Sequence, residues 1–145
     1  MEVSVFDKAA GRAFILALER DECLLESVEK VVKDYEIDSA VLTSGIGTLS
    51  RFHYHRVINV GPVAENEFLV VEGPLELLST QGIIANGNIH LHAVCSDLES
   101  VYCGHVEDGC RALYVLEVCI QEIPGARLTR EPVAETGRRI LRQRD

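Results

Sequence analysis

The chain has 145 residues, 47% hydrophobic and 26% charged, a composition that suits one globular domain and excludes a disordered chain. Its formal net charge of −9 opposes the basic surface with which nucleic-acid binders neutralise phosphate. No apolar run approaches the ~20 residues that cross a bilayer, and residues 1–14 lack the basic and apolar regions of a signal peptide. The expectation is a soluble cytoplasmic protein with no membrane partner.

"GRAFILALE" (residues 11–19) has strand character. The segment after it predicts the one main helix, over about residues 22–35. There Leu24, Leu25, Val28, Val31, Val32 and Tyr35 recur at helical spacing with charges on the other face. Asp21 is the expected N-cap. "DSAVLTSGIG" (38–47) is again strand-like, and its lone G-x-G reads as a tight passage between strands. "TLSRFHYHRV" (48–57) alternates, which would put Leu49, Arg51, His53, His55 and Val57 on one side and Ser50, Phe52, Tyr54 and Arg56 on the other. Residues 66–85 read as one or two strands interrupted at Gly73-Pro74. Short strands follow at 88–94, 100–105, 111–123 and 126–133, separated by Gly, Asp, Asn and Pro signals. One helix among this many strands predicts an α+β fold, mostly antiparallel, in a single domain over residues 1–145.

The tail from about residue 127 to 145 holds six arginines against Glu131, Glu135 and Asp145, a local charge of +3 that leaves about −12 on the rest. Its string "TGRRILRQR" reads as helix, either a solvated helix end or a contact for phosphate. The five cysteines, Cys23, Cys95, Cys103, Cys110 and Cys119, are odd in number and lack a C-x-x-C pair. They read as separate thiols, with Cys23 and Cys119 as small buried hydrophobes.

The chemistry concentrates in "NGNIHLHAVCSDLESVYCGHVEDG" (86–109). On a strand, His90 and His92 point to one face while Leu91 points to the other. Two such imidazoles reach one ion at roughly 2.0–2.1 Å per Zn–N bond. Gly104 lets the backbone bend, bringing His105 in from a neighbouring segment. Three histidines with an open fourth position are the pattern of a catalytic zinc site; histidines on a polar strand face are the plainer alternative. Cys103 competes as a ligand, and Cys95 does so less well because it falls on the face opposite His92. Asp97, Glu99, Glu107 and Asp108 read as solvated loop acids, one of which could orient a histidine. His53 and His55 form a second H-x-H, which either joins the same pocket or lies exposed on its strand.

The order of these motifs resembles the PPC (plant and prokaryote conserved) domain, which in plants is attached to AT-hook DNA-binding motifs. The resemblance runs from about Arg12 to Pro124 and is carried by Gly87, His90, His92, Gly104, His105, Gly109 and Glu117. The family commonly has two glycines before the last histidine, where this chain has Cys103-Gly104. The resemblance implies an α+β fold in a homotrimer, with the histidines as metal ligands near a subunit interface.

Three functions remain open. The first is a trimeric metal-binding domain in which His90, His92 and His105 hold zinc or another divalent transition metal. Its ion would act on a small polar ligand, with Glu117, His53 or His55 as the base and Cys103 close by. The second is DNA association, although "TGRRILRQR" lacks the Arg-Gly-Arg-Pro core of an AT-hook. The third is a non-catalytic assembly module. Whether the chain is an enzyme does not follow from its sequence.

Overall fold

Strand alternation decides which side chains meet the helix. The computed structural model describes residues 1–8 and 11–144, the first strand by its backbone alone. The elements are β1 (Glu2–Lys8), β2 (Gly11–Leu18), α1 (Leu24–Asp34), β3 (Ser39–Val57), β4 (Asn66–Ala85), β5 (Asn88–Ser96), β6 (Val101–Val106), β7 (Arg111–Glu122), β8 (Leu128–Pro132) and β9 (Arg139–Gln143). Strands β1 to β7 form one antiparallel sheet in the order β1-β2-β7-β3-β4-β5-β6. Phe14, Leu16 and Leu18 of β2 join Leu116, Val118 and Ile120 of β7 in a core closed by Leu24, Val28, Val31 and Val32 of the helix. The α+β fold with a mostly antiparallel sheet is therefore present.

The helix starts without the expected cap. Asp21 has φ 70°, and its backbone N–H bonds to the Ala112 carbonyl. Cys23 holds the cap position in extended conformation with no side-chain cap bond. Instead, the Cys110 carbonyl accepts from the Leu24 N–H at 2.8 Å, so tertiary contact satisfies one of the free N–H groups of the first turn. At the other end Glu36 turns left-handed, and the Ile37 N–H bonds to the Val32 carbonyl at 2.9 Å, a Schellman closure that carries Ile37 into the core.

Strand β3 departs from simple alternation. A register shift between Leu49 and Arg51, opposite Gly73 and Pro74 of β4, adds a residue to one side of the pair. Leu49 thereby turns into the core with Phe52 and Tyr54, away from the face of Arg51, His53 and His55 on which simple alternation placed it. Strand β4 runs through Gly73-Pro74 as one element of 20 residues. Asn86 (φ 51°) and Gly87 (φ 70°) then make the two-residue turn into β5.

The second half of the sheet closes on itself. Strand β6 pairs with β5 on one side and meets β3 on the other, with Tyr54 opposite Val106 and His55 opposite His105. This closure needs Gly104, whose backbone is not left-handed. A Cβ there would lie 2.4 Å from the His55 carbonyl oxygen and 2.7 Å from Tyr54 Cδ2. Gly104 supplies room for the strands to touch rather than a bend.

The string "TGRRILRQR" is not a helix, whereas the strand expected at 126–133 is present as β8. Strands β8 and β9 form an antiparallel hairpin, Arg130 opposite Leu141, outside the main sheet. The helix propensity of Arg, Leu and Gln is a weak preference that strand pairing overrides. The hairpin is tied down by Arg130, which donates to the Ile83 and Asn88 carbonyls at 2.8 and 2.9 Å, and by the Arg144–Asp38 ion pair at 2.5 Å. Cys95 and Cys110 are buried, Cys103 is exposed, and Cys23 and Cys119 are half-buried rather than fully enclosed. Among the described residues no helix is long and apolar enough to cross a membrane.

Candidate metal centre

Where β3, β5 and β6 meet, strand register places four imidazoles together. His92 is opposite His105 across β5–β6, and His105 is opposite His55 across β3–β6. His90 follows two residues before His92, on the same face. Leu91 and Ala93 between and beyond them are buried, so the four rings stand on the side of the strands away from the core.

The His90 and His92 Nε2 atoms are 3.2 Å apart. The His90 ring centroid is 5.1 Å from that of His105, and the His92 centroid is 5.5 Å from it. His55 stacks on His105 at 4.5 Å. One carboxylate oxygen, Glu107 Oε1, contacts both His55 Nδ1 at 2.5 Å and His105 Nδ1 at 3.0 Å. The cluster walls an open cavity of about 590 Å³ that also touches Arg56, Gln81 and Cys103. Arg56 is paired with Glu67 at its rim.

Burial, followed by the neighbouring His105 and His92, pulls the His90 pKa down to about 4. Burial and His105 lower that of His92 as well. Both rings are therefore neutral at pH 7, the form that coordinates metals. The donor set fits a transition metal. Two nitrogens bound to one tetrahedral ion at ~2.0–2.1 Å lie about 3.3 Å apart, close to the His90–His92 spacing. Glu107 holds the Nδ1 side of His105, leaving Nε2 free, as carboxylates commonly do behind ligating histidines. Among the described residues, the set of three whose possible ligand atoms all lie within 4.8 Å of one another is His55, His105 and Glu107.

His90, His92 and His105 thus come together, and His55 joins them. His53 does not: its Nδ1 bonds to the Asp108 carbonyl at 2.9 Å, and it does not line the cavity. Glu117 is exposed on β7, opposite Ala17 and Ile46, also outside the cavity lining. Cys103 lies on the cavity wall. Cys95 is fully buried, and burial pushes its thiol up to about 12, which disfavours the thiolate. Asp97 shapes the β5–β6 turn by accepting from the Glu99 and Ser100 N–H groups.

Of the four acids read as loop residues, one of which could orient a histidine, Glu107 is the one that contacts His105 and His55; it directly follows β6.

An antiparallel sheet bearing a histidine-lined cavity is the class that fold and site define. The sequence pattern of the Plants and Prokaryotes Conserved (PCC) domain matches residues 6–124, and the chain belongs to this family, also called PPC. A hypothetical protein from Salmonella cholerae-suis has the same fold at 22% identity and TM-score 0.81, over 96% of this chain and 97% of that one. A protein from Bacteroides thetaiotaomicron provisionally described as DNA-binding follows at 16% and 0.79, over 97% and 96%. The metal-containing protein AF0104 from Archaeoglobus fulgidus follows at 23% and 0.76, over 94% and 97%. Part of the bifunctional protein GlmU of Synechococcus sp. is 24% identical over 115 residues, or 79% of this chain, which spans 17% of that relative's length.

Proposed function

We propose that this chain is a metal-binding PCC-domain protein whose ion, zinc, is held by His90, His92 and His105 with one coordination position open to a small ligand. The 3.2 Å between the His90 and His92 Nε2 atoms carries this reading, because two neutral imidazoles converge there on one point. Glu107 orients His105 through Nδ1. Of the three candidate bases, only His55 lines the cavity, so His55 carries the proton, steadied by the same carboxylate oxygen. Zinc at this position supplies Lewis acidity toward an oxygen of the bound ligand. The A. fulgidus relative is a metal-containing protein, which agrees with this reading.

The assembly we assign is a homotrimer. Ile46, Leu78 and Val115, on the neighbouring strands β3, β4 and β7, are 50%, 55% and 61% exposed, apolar surface that a partner copy would cover. DNA association has less support, because the net charge is −9 and the hairpin's Arg130 and Arg144 are engaged within the fold.

The test is elemental analysis of the purified protein, with sizing before and after chelation. About one zinc per chain is expected. Protein that neither retains zinc nor takes it up on reconstitution overturns the reading, and salt-dependent DNA binding becomes the next measurement. A trimer that falls apart on chelation assigns the ion a bracing role instead of an open site.

A further inference from the structure

We infer that the β8–β9 hairpin builds an oxyanion subsite beside the metal centre, in which Arg130 and Arg139 receive the carboxylate or phosphate group of a small ligand. This rests on the metal-centre reading for the ligand's other end.

The observation is a second cavity, of about 370 Å³, between the hairpin and the tip of β4–β5. Asn88, His90, His105, Thr129, Arg130 and Arg139 line it. It shares His90 and His105 with the first cavity, so the two cavities adjoin at these rings. Volumes of this order hold metabolite-sized ligands rather than macromolecular segments.

Its charge is opposite to that of the chain. The protein has 23 acidic residues against 14 lysines and arginines, yet the only formally charged side chains on this cavity wall are two arginines. Among the described residues neither has a carboxylate partner. Arg130 spends one N–H on each of two carbonyls, and Arg139 donates to the Arg130 carbonyl at 3.4 Å. A guanidinium has five N–H donors, so both arginines keep donors beyond those bonds. Arg130 is also held in place by the carbonyls of two different strands, which lowers the ordering cost of binding. The planar fork of arginine matches the paired oxygens of carboxylate and phosphate. The hairpin lies outside residues 6–124 matched by the family pattern.

The experiment is calorimetric titration of the zinc-loaded protein with succinate and, separately, with inorganic phosphate, in low-chloride buffer. The expected result is saturable one-site binding of at least one probe, with the preferred probe identifying the anion. Arg139→Gln, at an exposed position whose loss leaves the hairpin paired, should weaken that binding about tenfold or more with zinc content unchanged. Arg130→Gln should do the same. Binding of neither probe by the wild type, or equal binding by Arg139→Gln, overturns the subsite. The two readings fail separately: anion binding by a chain that takes up no zinc removes only the metal centre, and zinc uptake without anion binding removes only the subsite.

Discussion

His55 and His105 face each other across the β3–β6 pair, their rings stacked at 4.5 Å, and both Nδ1 atoms rest on the same oxygen of Glu107. Residues 50 apart in sequence are thus joined by one carboxylate. The shared carboxylate contact restrains the rotation of both imidazoles.

Replacing that carboxylate separates orientation from ligation. Glu107→Gln should lower zinc affinity by about 10–100-fold without abolishing binding, as read by competition with a chromophoric chelator. Complete loss would make Glu107 a direct ligand, and unchanged affinity would remove it from the site.

The histidines themselves should divide sharply. His90→Ala and His105→Ala should each abolish tight zinc binding while the circular dichroism of the fold persists. His53→Ala, whose ring bonds to the Asp108 carbonyl, should have a smaller effect. Full metal occupancy in the first two variants would defeat the ligand assignment.

Gly104→Ala tests the closure that brings His105 to the cluster. The added methyl would meet the His55 carbonyl oxygen at 2.4 Å, on a strand whose other edge is already bonded to β4. The two strands must part, so the variant should lose about 1–3 kcal/mol of stability and bind zinc more weakly. Denaturant unfolding and the same chelator competition measure both effects.

A structural ion pair far from the cluster gives the pH prediction. Arg12 donates to both oxygens of Glu122 and to the Tyr35 carbonyl, tying β2 to β7 and to the end of the helix. The hydrogen bond from Arg12 holds the Glu122 carboxyl below its usual value of 4.5. A folded-state pKa below the unfolded one contributes stability that is present above about pH 4.5 and is lost as pH falls through the folded value. Glu122→Gln should cost about 1 kcal/mol at pH 7, given the pair's partial exposure, and should flatten the stability loss below pH 4.5. An unchanged acid slope would contradict this.

Local periodicity made the helix and most strands legible, because burial of Leu24, Val28, Val31 and Val32 follows directly from their spacing. His90 and His92 were legible for the same reason, being two apart on one strand. What stayed hidden depends on long-range pairing. Leu49 faces the core only because β3 slips register against Gly73-Pro74. His55 joins the cluster only because β6 returns to β3. Asp21 is no cap because the Cys110 carbonyl already serves the helix start. The first strand of the C-terminal hairpin was legible at 126–133, but its partner at 139–143 escaped because its arginines and leucine suit a helix until a partner strand is present.

Convergence of His90, His92 and His105 on one metal ion is best tested by X-ray absorption spectroscopy of the zinc-loaded protein. The expected shell is dominated by at least three imidazole nitrogens at about 2.0 Å, falling by one in His92→Ala. A shell made mainly of oxygen or sulfur, or one unchanged by His92→Ala, would contradict it.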